Sequence, residues 1–407
     1  MKRSTLGRYA VPSAVVLSLG LSACGASNET PPAGGSTASA APTSGPTTSG
    51  PTTSDPATSA AVTSGATTSP STGGGGTAGG PLSGTIAGVG SSAQQAAITA
   101  WIAGFGAANP NANVTYDAQG SGAGRKQFLA GGADFAGSDA YLKDTELATG
   151  KTRCAGGSAI DIPTYVSPIA IVYNLPGVSD LKLSPATAAG IFFGMIKTWN
   201  DPKIAADNPG AKLPSTAISP VHRSDDSGTT QNFTEYLSSA APAVWTAKPA
   251  QSWPVKSGEA AAQTSGMVAA VKAGAGSIGY ADESQAGALG KAQIKVGSAF
   301  VTPSADGAAK ALAASKPVSG RPTGDLAIAI DRKTTAAGAY PVMLVSYDVA
   351  CTKYSDATKG NLVKGFLNYA VSSEGQQAAA KNAGSAPLPA SLAAQAKTSI
   401  DSITTGG

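Results

Sequence analysis

Histidine is nearly absent from this chain of 407 residues, which has only His222, and cysteine is scarce, with Cys24, Cys154 and Cys351 alone. So few nitrogen and sulfur ligands, none of them clustered, give no basis for a metal centre, and the chain is expected to work without a metal or other cofactor. Charge is sparse too: Asp, Glu, Lys and Arg make up 13% of the residues and the formal net charge is only +4, part of it from Lys2, Arg3 and Arg8. That removes the electrostatic case for a nucleic-acid partner. A G-x-S-x-G elbow is missing and His222 abuts Arg223, so the histidine is read as structural rather than as the base of a nucleophilic serine. Beyond Leu21 there is no second long apolar run, so the folded part is expected to be soluble.

The apolar run that does exist follows Lys2, Arg3 and Arg8 and extends from Tyr9 to Leu21. It is too short and too interrupted by Gly and Ser to cross a bilayer as a stable helix, which is the pattern of a signal peptide. It ends in Leu21-Ser22-Ala23-Cys24, which resembles the bacterial lipobox, so residues 1–23 would be removed and the Cys24 sulfur would take a diacylglyceryl group. The competing reading is an ordinary secretory signal with Cys24 incidental. Residues 24–80 then form a tether in which Thr, Ser, Pro, Gly and Ala predominate, Glu29 and Asp55 are the only charges, and nothing can bury a core. A flexible chain of about 56 residues reaches roughly 40 Å, enough to lift a domain off a membrane.

The remainder, from Pro81, has room for two lobes. In an exported chain Cys154 and Cys351 favour a disulfide between distant segments, with two free buried thiols as the alternative. Short β-branched runs alternate with amphipathic stretches, as in Thr85–Val89, Gln94–Ala108 and Asn113–Asp117, which indicates α/β layering. Ile98, Trp101, Ile102 and Phe105 lie at i, i+3, i+4 and i+7 and would dock one helix face on a sheet, with Ser91 or Ser92 at the N-cap. A second helix is expected to follow Gly120-Ser121-Gly122-Ala123-Gly124 through Arg125 to Ala130. A third opens at Ser227-Gly228-Thr229, with Phe233, Tyr236 and Leu237 as its apolar stripe. Gly274, Gly276 and Gly279 spell G-x-G-x-x-G, but a helical stretch, Ala260–Ala273, precedes them and the apolar Ile278–Tyr280 overlaps their end. A turn before a strand is expected there, not a dinucleotide site. Trp199, Trp245 and Trp253 are read as packing residues.

Three helices opening in Ser, Thr and Gly clusters supply unpaired main-chain N–H groups, hydroxyl donors, and glycines that let a ligand approach the backbone, which is what a small oxyanion needs. One such cluster alone is more often a plain cap. The charges beside them sharpen the reading. Arg223 could hold an oxyanion with two parallel N–H donors while Asp225 fixes the plane of the guanidinium; the plainer alternative is a surface ion pair beside a capped helix. Asp139 would repel an anion unless that anion brings a proton, which phosphate does near neutral pH and sulfate does not, so it could select phosphate. Its plainer role would be to cap a turn before Tyr141.

Four segments carry a resemblance to a known family: Gly120–Gly124, Gly137–Leu142 (Gly-Ser-Asp-Ala-Tyr-Leu), Ile196–Pro202 (Ile-Lys-Thr-Trp-Asn-Asp-Pro) and His222–Thr229. In this order they resemble the phosphate-binding proteins of bacterial ABC phosphate importers, most of all the actinobacterial lipoprotein members, and the resemblance covers Leu82 to about Thr398. It implies Ser92, the amide of Ala93, and Ser121 as phosphate donors, with either Ser91 or Ser92 facing the ligand. It implies Asp139 as the proton-accepting carboxylate, Arg223 as the clamp, Asp225 as the acid that orients it, and Ser227, Gly228 and Thr229 as the third donor cluster. The familiar Thr-Phe-Pro of the first cluster is replaced by Ser92-Ala93-Gln94, and Asp226 stands where many relatives carry glycine.

The implied fold is α/β, two lobes of the periplasmic-binding-protein type (type II-like) joined by a two-strand hinge, with the ligand in the cleft. The chain would cross near Tyr165–Pro168 and return near Tyr340–Val345, giving lobe 1 from residues 81–165 plus 340–407 and lobe 2 from 166–339. Cys154 and Cys351 then fall in one lobe, which supports the disulfide. The implied function is not enzymatic: high-affinity capture of inorganic phosphate outside the cell and delivery to the permease and ATPase subunits of an ABC importer, with the protein held on the membrane by its lipid anchor. A binder of another oxyanion such as sulfate is the alternative in the same class. A phosphatase is the alternative in another, and it would need a nucleophile with a base, or metal ligands.

Overall fold

The computed structural model describes residues 81–406; the expected signal peptide, lipidation site at Cys24 and tether lie outside the described residues. One mixed sheet runs through the molecule in the order Asn111–Asp117, Ser83–Gly90, Phe135–Ser138, Met343–Cys351, Ala159–Asn174, Ser277–Asp282, Ser219–Arg223, Glu259–Ala261, with Gly290–Lys291 pairing Ala159–Asn174 off that path. The first three strands pair in parallel, and Met343–Cys351 runs antiparallel to its neighbours on both sides.

The strand Ala159–Asn174 ties the two halves of the sheet together. Residues Ala159–Pro168 pair with Met343–Cys351, and Ile169–Asn174 pair with Ser277–Asp282. All but Asn174 of its sixteen residues are buried, which is why the run reads as nearly continuous apolar sequence instead of alternating. Pro168 faces Met343 across this pair, where the chain passes from one half to the other. The result is the α/β, two-lobed architecture.

Helices cover the sheet and bury the stripes the sequence marks out. Ile98, Trp101 and Phe105 lie in the core, and the Trp101 Nε1–H donates to the Gly375 carbonyl at 2.8 Å, so a large aromatic is buried without leaving its one donor unpaired. In the other half Phe192, Phe233, Tyr280 and Trp253 pack face to face and edge to face, and His222 stacks on Trp253 with its ring 5.1 Å away. The lone histidine and Trp253 are thus packing groups, and Trp199 and Trp245 are buried.

One sequence expectation shifts at an element boundary. The stretch Ala260–Ala273 is not helical throughout: Ala260 and Ala261 pair in parallel with His222 and Arg223, so sheet pairing overrides alanine's helix propensity and the helix begins at Gln263. Gly274 and Gly276 lie in the turn between that helix and the strand Ser277–Asp282, and Gly279 lies within the strand, the turn-to-strand arrangement expected. Cys154 and Cys351 form a disulfide that links the end of the helix Asp144–Arg153 to the end of the strand Met343–Cys351.

Candidate functional site

The parallel strands determine where the chemistry lies. Gly90, Asp117 and Ser138 end three strands of one half, and Arg223 and Ala261 end two strands of the other. Just beyond these carboxyl ends come Ser91 and Ser92, Gly120 and Ser121, Asp139, the Asp225–Thr229 turn, and Thr264. In α/β sheets this is the edge where ligands bind, because helix N-termini follow strand C-termini there.

Asp139 is 3% exposed and collects hydroxyls from both halves. Its Oδ1 accepts from Ser91 Oγ at 2.5 Å and Ser346 Oγ at 2.9 Å, and its Oδ2 accepts from Thr229 Oγ1 at 3.0 Å. Its own amide donates to Ser121 Oγ at 3.1 Å. Burial pushes the carboxyl above its usual range, while the three hydroxyls and the nearby Arg223 charge pull it back.

Arg223 is also buried, at 2% exposure. Its Nε donates to Asp225 Oδ1 at 2.7 Å and its Nη2 bonds Asp225 Oδ2, the bidentate geometry that fixes a guanidinium plane. Nη2 also donates to Ser92 Oγ at 3.0 Å, and Nη1 reaches Thr264 Oγ1 at 3.4 Å. Ser92 Oγ accepts the Thr264 amide at 3.1 Å. Arg223 and Asp139 therefore converge on adjacent serines, Ser92 and Ser91.

The glycines allow this convergence. A Cβ on Gly228 would stand 2.5 Å from Ser121 Oγ and 2.7 Å from Asp139 Cβ. Gly120 has φ +101°, and a side chain there would meet Asp225 Oδ2 at 2.5 Å. Across the same seam the Gly122 amide donates to the Asp226 carbonyl at 2.9 Å, and Asn232 Nδ2 donates to the Asp139 carbonyl at 2.7 Å.

Every residue singled out in the sequence lies in or beside this cluster: Ser92, Ala93, Ser121, Asp139, Arg223, Asp225, Ser227, Gly228 and Thr229. Some of their local roles differ from expectation. Neither Ser91 nor Ser92 is the N-cap of the first helix; Gln94 occupies that position and makes no side-chain cap. Ser91 Oγ instead accepts the Ala93 amide at 3.1 Å while donating to Asp139, and Ser92 Oγ is held by Arg223 and Thr264. The Ala93 amide is thus bonded to its own turn. Ser227 caps its helix through the Thr230 amide at 3.1 Å. Asp226 turns its carboxylate to Ser252 and Lys126, and the Ser252 hydroxyl, more than the lysine, holds its pKa below the usual range.

Thr264, Ser346 and Gln94 were missed. Thr264 is the second residue of the helix that begins at Gln263, which has φ +60°, and its Gln-Thr-Ser-Gly start is a fourth polar helix entry that could have been noticed. Ser346 lies in a buried apolar strand and gives no sequence signal at all.

Fold and site together define a two-lobed solute-binding protein. A family model described as a PBP superfamily domain matches residues 75–374. The phosphate-binding protein PstS 3 of Mycobacterium leprae is 37% identical over 328 residues, covering 78% of this chain and 87% of that protein. The phosphate-binding protein PstS 2 of Mycobacterium tuberculosis is 37% identical over 322 residues, covering 77% and 86%. The chain belongs to this family of phosphate-binding proteins. Solved structures with the same fold include a phosphate-binding protein from Stenotrophomonas maltophilia, with TM-score 0.60, 23% identity and coverage of 78% of this chain and 94% of that one. Another is a periplasmic phosphate-binding protein (PfluDING) bound with phosphate, with TM-score 0.62, 23% identity and coverage of 77% and 93%.

Proposed function

We propose that this chain is a binding protein, not an enzyme, that captures inorganic phosphate with high affinity outside the cell and delivers it to the permease and ATPase subunits of an ABC importer. The observation that carries the reading is the meeting of a bidentate-held arginine, Arg223, and a buried carboxylate, Asp139, at the neighbouring hydroxyls of Ser92 and Ser91. A guanidinium attracts any oxyanion; a carboxylate beside it tolerates only one that brings a proton. The names of the 37% identical relatives agree with this chemistry.

In this reading Ser92, Ser121, Ser227, Gly228 and Thr229 donate to the phosphate oxygens through hydroxyls and main-chain amides, and the Ala93 amide exchanges its bond to Ser91 Oγ for one to the ligand. Arg223 clamps the anion, Asp225 holds the guanidinium plane, and Asp139 accepts the ligand's proton. Lobe 1 comprises residues 81–165 and 340–407 and lobe 2 residues 166–339, hinged near Pro168 and Met343. The disulfide agrees with an oxidising, extracytoplasmic location, and a lipid on Cys24 would tether the protein to the outer face of the membrane.

Titration calorimetry with phosphate and with sulfate at neutral pH tests the function. Phosphate should bind far more tightly; tighter sulfate binding would remove the phosphate assignment. Asp139→Asn should weaken phosphate binding and narrow its margin over sulfate, because an amide donates as well as accepts.

A further inference from the structure

Behind Asp139 lies a second buried acid joined to it by a chain of hydrogen bonds. Gln94 Nε2 donates to Asp348 Oδ1 at 2.9 Å, Gln94 Oε1 bonds Ser346 Oγ, and Ser346 Oγ reaches Asp139 Oδ1 at 2.9 Å. Gln94, Ser346 and Asp348 are all 0% exposed, and Asp348 Oδ2 is buried without a partner. Sequence gives no hint of the link, since Gln94 and Asp348 are 254 positions apart.

Hydrogen counting shows that this chain is one proton short. The Ser346 hydroxyl has one hydrogen and stands between two acceptors, Gln94 Oε1 and Asp139 Oδ1. With both acids ionised, one of those contacts sets lone pair against lone pair among fully buried groups. A proton on Asp348 resolves the conflict if the Gln94 amide turns over. The Asp348 hydroxyl then donates to the Gln94 carbonyl, the Gln94 NH₂ donates to Ser346 Oγ, and the Ser346 hydrogen goes to Asp139. Each donor in the chain has an acceptor, and Asp139 remains an anion served by Ser91, Ser346 and Thr229.

We propose that Asp348 is a positioning residue for Asp139: it holds a proton and, through the Gln94 amide and the Ser346 hydroxyl, keeps Asp139 in the ionised, accepting form that a protonated oxyanion requires. The surroundings of the two acids favour this division. Asp348 is faced by Gln94, by Thr164 on the adjoining strand and by Tyr116, whose hydroxyl is itself pushed up by burial and by the Asp348 charge; Asp139 lies beyond Ser346. None of these groups is a cation. Asp139 has Arg223 nearby and three hydroxyl donors. Burial accordingly pushes Asp348 up to about 7, with no cation beside it to pull it back.

The inference rests on the phosphate reading, and calorimetry of the full chain from about pH 6 to about pH 8 tests both. The comparison is between wild type and Asp348→Asn, whose amide can donate to the Gln94 carbonyl as the neutral acid would. The ratio of the two affinities cancels the ligand's own titration. Wild-type phosphate affinity should fall relative to the variant by about tenfold across that range as Asp348 ionises, while the variant stays close to wild type at the acid end. Gln94→Leu, which cuts the relay, should weaken phosphate binding about tenfold at every pH in the range and narrow the margin over sulfate. Superimposable wild-type and Asp348→Asn profiles would overturn the positioning role while leaving phosphate binding in place. Absence of phosphate binding by the wild type would overturn both. Neutron diffraction of the perdeuterated wild-type complex near pH 6.5 needs no variant: a deuteron on Asp348 and none on Asp139 supports the assignment, and the reverse refutes it.

Discussion

Arg223 Nη2 donates to Ser92 Oγ at 3.0 Å, joining residues 131 positions apart across the cleft. The same guanidinium is gripped by Asp225, so its remaining freedom is small and its direction is determined before any anion arrives. Arg223→Ala should abolish measurable phosphate binding while the circular dichroism spectrum stays native. Arg223→Lys, which retains the charge but loses the planar fork, should weaken binding by at least about tenfold. Calorimetry on both variants checks this, and wild-type affinity in the alanine variant would remove Arg223 from the site.

Gly228 is a steric requirement of the closed arrangement. An added methyl would stand 2.5 Å from Ser121 Oγ and 2.7 Å from Asp139 Cβ, both across the cleft. Overpacking of this kind costs about 1–3 kcal/mol. Gly228→Ala should therefore lower phosphate affinity by about tenfold or more. Gly106, in the interior of the first helix with nothing within 4 Å of its Cβ position, provides the contrast, and Gly106→Ala should raise the melting temperature instead.

Asp282 gives a pH dependence of stability that can be signed. It is fully buried beside Tyr165 and Ser284, and burial pushes it up to about 7 despite their hydrogen bonds. The folded state thus binds a proton that the unfolded chain releases near its ordinary carboxyl range, and this contribution to stability is present at low pH and lost as pH rises through about 7. Asp282→Asn should remove that slope. The difference in melting temperature between wild type and variant should move in the variant's favour as the pH is raised from about 5 to about 8. A constant difference would contradict the assignment.

The Cys154–Cys351 bond closes a loop of 197 residues. Removing a native disulfide from an exported domain typically costs about 2–5 kcal/mol, most simply because the reduced unfolded chain regains conformational freedom. Cys154→Ser paired with Cys351→Ser should lower the melting temperature while leaving phosphate affinity within a factor of about two, since Cys154 caps the C-terminus of the helix Asp144–Arg153, Cys351 ends the strand Met343–Cys351, and neither bonds a residue of the site. A large loss of affinity with unchanged stability would show that the bond shapes the site.

The relation between sequence and structure divides by distance along the chain. Strand and helix periods, the Arg223–Asp225 pair two residues apart, and the Ser227 cap are local, and local sequence determined them. Helix starts followed by glycines and hydroxyls were also legible, because the donors a helix leaves unpaired have to be met within a turn. What only tertiary structure decided is which of those starts face one another. Ser91 reaches Asp139 and Ser92 reaches Arg223, so adjacent serines divide the work between the two lobes. Thr264, Ser346 and Gln94 enter the site because strand order and the approach of the lobes bring them there. Only Thr264, in its polar helix entry, is distinguished by its neighbours in sequence; Ser346 and Gln94 are not. A buried hydroxyl or amide acquires its role from the partner that must satisfy it, and here that partner lies more than a hundred residues away or in the opposite lobe, at a separation on which local propensity has no hold.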